Sequence, residues 1–295
     1  MQIGIRAQSA MEYLMTYGWA ILIIAVVLGA LFELGVFSGT FFMPHVPPGS
    51  CHVFRPYGPR TVGSINLEGE CQGALPQYVA SIPNPIGSGR ISPKSYISMP
   101  NPTGFSNQFT ASVWADILAT GSGSDNKQPI FSMDCGQIFE INYNSSGRGT
   151  FDVYSTSTGV SSGPLKASFG KWYNLIETYN SGTLTFYVNG AYVNQTAVTG
   201  SLNPSGGLNI SNEGGCADAL TGLVSNAQLY NTSLSANDAY ALYSEGIGGA
   251  PINLENLVGW WPLNGNANDY SGNNNYGTAT NVVYTTNWES GYTQP

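Results

Sequence analysis

The sequence predicts a mainly β protein: a long N-terminal hydrophobic α-helix followed by an antiparallel β-sandwich. Three observations predict it. The run from Tyr13 to Phe32 carries no charged residue. From Ser95 onward, short stretches of β-branched and aromatic residues alternate with turn clusters, the spacing of a sandwich. Only 9% of the 295 residues are charged while 42% are apolar, a composition that can bury a core and resembles a secreted β-rich surface protein.

The uncharged run is long enough to span a bilayer, since about 20 residues at ~1.5 Å rise each match a hydrocarbon core of ~30 Å. A secretory signal has a shorter apolar stretch closed by small residues, and nothing of the A-x-A kind closes this run before Phe41. Gly35 and Gly39 loosen the segment and Pro44, Pro47 and Pro48 end it, so the helix is expected to stop by Ser38.

Residues 39–94 hold many Pro and Gly around two apolar stretches, Thr61–Leu67 and Gln77–Ile82, which predict a small hairpin extension. The four cysteines, Cys51, Cys71, Cys135 and Cys216, show no C-x-x-C spacing, and with only two histidines in the chain a zinc site is not expected. Two disulfides are the expectation. Three pairings exist, and Cys51 with Cys71 and Cys135 with Cys216 are favoured because one pair lies in the extension and the other in the large domain. Such bonds require an oxidising exterior.

In the large domain, strands are expected at Phe109–Ile117, Gln137–Tyr143, Gly149–Tyr154, Trp172–Tyr179 and Thr183–Val188, the last two joined by a three-residue loop at Asn180–Gly182. A short helix follows Leu234, with Ser235 and Asp238 as its N-terminal cap and Gly246 as its stop. Trp260 and Trp261 fall on opposite faces of a strand, one expected in the core and the other exposed or at a rim.

Two resemblances give these elements a function. Arg6-Ala7 followed by Gln8-Ser9-Ala10-Met11-Glu12-Tyr13-Leu14 resembles the class III signal peptide of archaeal type IV pilins. The resemblance implies a leader at 1–7 removed by a prepilin peptidase between Ala7 and Gln8, although Ala7 stands where Gly is commoner. It also implies a retained helix at 8–38 that sits in the membrane and then in a filament core with other pilin subunits. Glu12 becomes the fifth mature residue, and a carboxylate at membrane depth requires a partner, which in pilins is a neighbour's new α-amino group.

The second resemblance rests on Lys171-Trp-Tyr-Asn-Leu175 with Leu184-Thr-Phe-Tyr-Val-Asn-Gly190, on Gly222–Asn231 with Leu234–Gly246, and on Val258–Gly277. Together these are similar to laminin G-like, concanavalin A-like jelly rolls. Val258–Gly277 resembles that family's opening strand but stands at the end, which implies a circular permutation. The domain is placed at 95–295, with 75–94 contributing.

The resemblance implies a glycan or surface-protein ligand, and calcium through Asn264, Asn266, Asn268 and Asp269, whose alternate oxygens suit that cation although only one is a carboxylate. Catalysis is not expected: Asp116, Asp134, Glu140, Asp152 and Glu177 occur singly along the strands, and glycoside hydrolysis needs two carboxylates in one cleft. The net charge of -8 leaves no basic stripe for nucleic acid. Asn144, Asn194, Asn209 and Asn231 each open an N-glycosylation sequon.

The functional expectation is thus an extracellular filament subunit with an outward adhesion domain, single-pass in the membrane as a precursor. A membrane-anchored binding protein that never polymerises, and a tethered glycoside hydrolase, are the competing readings.

Overall fold

A computed structural model describes residues 17–28, 51–53, 65–67, 75–84, 94–102, 107–120, 127–133, 138–144, 149–156, 158–199, 202, 207–211 and 219–295. The chain divides into two units, 1–47 and 48–295. In the first, helix α1 covers residues 17–28 of the expected 8–38, and Ala7, Gln8 and Glu12 lie outside the described residues. Among the described residues no helix is long and apolar enough to cross a membrane.

In the second unit β1 (Cys51–Val53) pairs with β2 (Ile65–Leu67) as a two-stranded sheet. The expected partner of this extension, the stretch Gln77–Ile82, goes elsewhere. Its strand β3 (Val79–Pro83) lies inside the large sandwich, hydrogen-bonded on both sides to distant strands: Ala80 and Ser81 face Val224 and Leu223 on one side and Tyr284 and Val283 on the other. Val79, Ala80 and Ile82 bury their side chains there, which a two-stranded hairpin could not achieve. Cys71, Cys135, Cys216 and the Cys51 side chain are outside the described residues, and so is their pairing.

The sandwich continues with β4 (Tyr96–Met99), β5 (Gln108–Ile117), β6 (Lys127–Met133), β7 (Phe139–Asn144), β8 (Thr150–Ser155) and β9 (Thr158–Ser161). It goes on through β10 (Trp172–Asn180), β11 (Thr183–Val188), β12 (Ala191–Ala197), β13 (Leu208–Ile210) and β14 (Thr221–Tyr230). After helix α2 (Ala236–Ser244) come β15 (Leu257–Trp261), β16 (Thr278–Thr280) and β17 (Val283–Thr285).

One sheet has the order β12-β11-β10-β5-β14-β3-β17, with β15 also on β14; the other runs β16-β4-β13-β6-β7-β8-β9. The last 39 residues therefore complete both sheets. Alternate residues such as Phe109, Val113, Phe131, Ile141, Phe151, Leu175, Phe186 and Trp261 point between the sheets and form the main core.

The Trp172–Val188 hairpin has a shorter loop than the sequence suggested. Asn180 pairs with Thr183, leaving Ser181-Gly182 as a two-residue turn. Both have positive φ, 45° and 95°, the backbone that matches the twist of the flanking strands. Helix α2 begins as expected: Asp238 N–H donates to Ser235 Oγ at 3.3 Å, and Ser235 N–H donates back to Asp238 Oδ2 at 2.9 Å.

The outer face of the eight-stranded sheet is covered too. Helix α2 places Ala239 and Leu242 over Ile176, Tyr187, Tyr230 and Trp260. Consequently neither tryptophan of the pair is exposed: Trp261 is in the inter-sheet core and Trp260 is sealed beneath α2. Gly259 is required here, because a Cβ would stand 2.1 Å from the Trp261 ring.

Candidate functional site

Beside α2, the same outer face carries a row of side chains at one register across five neighbouring strands. Trp172 on β10 faces Asp116 on β5, Asp116 faces Leu223 on β14, Leu223 faces Ser81 on β3, and Ser81 faces Val283 on β17. At about 4.8 Å per strand, Asp116 and Val283 stand roughly 14 Å apart. The chain beyond β17 folds back along this row. Trp172 Nε1 donates to Trp288 O at 2.9 Å and Trp172 N–H to Gly291 O at 3.2 Å, while the rings of Trp172 and Trp288 meet edge-on at 6.2 Å.

Between this returning segment and the sheet lies a cleft of about 450 Å³, within the range of small-molecule sites. Ser81, Asp116, Leu223, Thr285, Asn287 and Trp288 are among its lining residues. Leu118 and Val283, 47% and 56% exposed, form an apolar rim.

Asp116 is the only charged side chain in the described lining and is 2% exposed. Its Oδ1 makes no hydrogen bond. Desolvation pushes its carboxyl up to about 6, partly offset by the backbone N–H groups of Lys171 and Gly170. A buried acceptor left open in this way favours any group that brings a donor to it. Reading strand by strand did not reveal Asp116 as special, because its neighbours come from distant segments.

The expected calcium residues are organised differently. Asp269 Oδ1 accepts from Trp260 N–H at 3.0 Å and Ser271 N–H at 2.9 Å. Its Oδ2 accepts from Ser271 Oγ–H at 2.9 Å and Asn275 N–H at 2.8 Å. Asn264 Oδ1 accepts from Tyr78 N–H at 2.8 Å, Asn266 Oδ1 accepts from Asn268 N–H at 2.9 Å, and Asn268 is exposed.

This set does not fit calcium. Its one carboxylate already uses its four acceptor positions on protein donors, whereas the cation takes six to eight oxygens. The loop's oxygens are instead its internal framework. Among the described residues no group of three or more His, Cys, Asp or Glu could hold a metal.

Two carboxylates that the sequence shows singly, Glu177 and Glu140, influence one another electrostatically across the sandwich. Glu177 on β10 points between the sheets, is fully buried, and neither oxygen makes a hydrogen bond of good geometry. Burial raises it well above the usual carboxylate range, and the charge of Glu140 on β7 raises it further. Asp152, on β8, accepts from Asn144 Nδ2 at 2.9 Å and Thr150 Oγ1 at 3.3 Å.

A family model described as concanavalin A-like lectin/glucanases superfamily matches residues 92–239, half of the chain. The chain belongs to that superfamily. Among solved structures, a candidate carbohydrate-binding protein from Bacteroides ovatus aligns at a TM-score of 0.56 and 16% identity, over 72% of this chain and 60% of that one. The match thus spans less than two thirds of the Bacteroides protein. A heptameric SAP-like pentraxin from Limulus polyphemus aligns at 0.52 and 15% identity, over 72% of this chain and 96% of its own. The comparison with curated proteins returned no match.

A glucanase-type site in this lectin/glucanase fold would need two carboxylates facing one accessible cleft. The described lining of the cleft supplies one, Asp116, and Glu177 is closed off inside the core. What the arrangement offers chemically is binding: an apolar rim, neutral hydroxyl and amide groups, and one open acceptor.

Proposed function

We propose that the protein is an extracellular surface-filament subunit of the type IV pilin kind whose C-terminal domain binds carbohydrate as an adhesion module. The observation that carries the binding half is the cleft above the outer sheet face, with Asp116 Oδ1 lacking a partner beneath an apolar rim in a lectin-superfamily domain.

The assembly half is supported by α1. Trp19, Ile21, Leu22, Ile23, Ile24, Val26 and Val27 stand exposed around the whole helix, Trp19 at 66% and Ile24 at 58%. A helix apolar on all sides needs cover, which the membrane supplies to the precursor and neighbouring subunits' helices supply to the filament. The resemblance of the Gln8–Leu14 order to a class III signal peptide supports a prepilin peptidase cut before Gln8.

N-terminal sequencing of the mature protein is expected to begin at Gln8. An intact Met1, or a start beyond residue 38, overturns the pilin reading. Glu12→Ala is expected to leave secretion intact and to abolish filaments seen by electron microscopy, because the buried α-amino group of the neighbour loses its counter-charge. Filaments at wild-type abundance would remove Glu12 from assembly.

The domain's exterior position also calls for N-glycans at exposed Asn194 and Asn231. Asn209 differs from them: it is 4% exposed and its Nδ2 donates to Gly207 O at 3.0 Å, so a folded domain has no room for a glycan there. Asn144 is half-buried with its Nδ2 on Asp152. Glycopeptide mapping is expected to find Asn194 or Asn231 occupied and Asn209 bare; glycan on Asn209 would contradict this.

A further inference from the structure

We infer that the cleft over Asp116 selects uncharged sugar rings and rejects acidic ones, with Asp116 accepting a ring hydroxyl and Leu118 and Val283 covering an apolar ring face. The inference rests on the carbohydrate-binding reading and adds to it the class of ligand and the residue that sets it.

The selection follows from what the lining holds and lacks. Ser81, Thr285, Asn287 and Ser290 are neutral groups that suit hydroxyls, and no Lys or Arg is in the described lining to meet a carboxylate or sulfate. Lys171 touches Asp116 through its backbone, while its ammonium lies 5.6 Å from the Tyr173 ring centre. Glu289, in the returning segment, is exposed and adds negative charge if anything. An acidic sugar would therefore bring a second negative charge to a desolvated carboxylate, with the chain's net charge of -8 behind it. A ring hydroxyl instead gives Asp116 Oδ1 the donor it lacks, a charge-assisted hydrogen bond in a place poor in water. The apolar rim at Leu118 and Val283 contributes through the carbon-bound hydrogens of the same ring.

The test uses the full chain and calorimetric titration with methyl glucoside, galactoside and mannoside beside the matching uronides. At least one neutral glycoside is expected to bind about tenfold or more tightly than its uronide. Asp116→Asn, nearly the same shape, is expected to weaken the neutral sugar about tenfold while removing most of the discrimination against the uronide. Leu118→Asp, at a position 47% exposed and so of small expected effect on folding, is expected to weaken both. Because the ionised carboxylate is the acceptor, wild-type affinity for the neutral sugar should fall about tenfold from pH 7 to pH 5, and Asp116→Asn should flatten that profile.

A uronide that binds as tightly as the neutral sugar overturns the inference. So does a neutral sugar whose binding is untouched by both Asp116→Asn and Leu118→Asp, which would leave the carbohydrate-binding reading standing with its site elsewhere. If no sugar of the panel binds the wild-type chain, the carbohydrate-binding reading itself fails and this inference with it.

Discussion

Glu177→Met is expected to stabilise the folded domain at pH 7 by about 1–3 kcal/mol, the cost of burying a polar group without a compensating hydrogen bond. The carboxylate stands in the inter-sheet core among residues such as Leu175 and Tyr179 on its own strand, with no hydrogen bond of good geometry to either oxygen and only a weak backbone contact at Glu140. Methionine is unbranched and adapts to the space that the glutamate chain fills.

The pH dependence fixes the interpretation. Burial, and then Glu140, hold the folded-state pKa of Glu177 well above that of the unfolded chain, so the folded state takes up the proton first. Stability from this group is therefore greatest below the unfolded value, near pH 4.5, and is lost as pH rises toward the folded value. Asp116 acts in the same direction between about 3.8 and about 6.

Urea unfolding at pH 4 and pH 7 measures both effects. Wild type should lose stability between those values from these two groups, and Glu177→Met should lose markedly less. A variant that is destabilised at pH 7, or that keeps the full wild-type pH slope, would show that Glu177 is held by interactions the buried geometry does not contain. The cost of this side chain disappears at low pH, where both states carry the proton.

How much of this was legible in the sequence depends on the distance over which each feature is specified. The capping pair Ser235 and Asp238 sits three residues apart and could be read directly. So could the alternation from Trp172 to Val188, since side-chain direction in a strand is a local property. The length of the turn between them was less clear, because the positive φ of Ser181 belongs to no strong residue preference.

Burial on both faces of β15 was invisible for another reason. Alternation tells which face Trp260 takes, but only the packing of Leu242 and Ala239 from α2 decides that this face is closed. The placement of β3 depends on pairing with β14, some 140 residues away. The cleft is the extreme case, assembled from Ser81, Asp116, Gly170, Leu223 and Trp288, with no two of them near in sequence. Glu140 and Glu177 likewise belong to different sheets, so each reads as a solitary strand carboxylate until the sheets are stacked.

The loop after β15 shows the opposite outcome, a pattern visible in sequence whose meaning the structure changes. Asp269→Ala is expected to destabilise the domain by about 3 kcal/mol or more, since each buried donor left without its acceptor costs about 1–3 kcal/mol. Four donors, from Trp260, Ser271 twice and Asn275, would lose their acceptor together. The damage would spread along the loop, because Asn275 also anchors it to the strand through Nδ2 on Val258 O at 2.8 Å and receives Trp261 Nε1 on its carbonyl at 2.9 Å. Trp260 and Trp261 are both fixed by this loop, and they belong to two different hydrophobic clusters.

Thermal unfolding separates this role from that of a calcium ligand. A structural acceptor predicts a large fall in the midpoint for Asp269→Ala and an unchanged wild-type midpoint when calcium is added or chelated. A calcium ligand predicts that chelation lowers the wild-type midpoint and that the variant no longer responds to the cation. Because all four acceptor positions of Asp269 are taken by the chain itself, the first result is expected: the residues that look like a cation loop in sequence act as the framework that closes the sandwich.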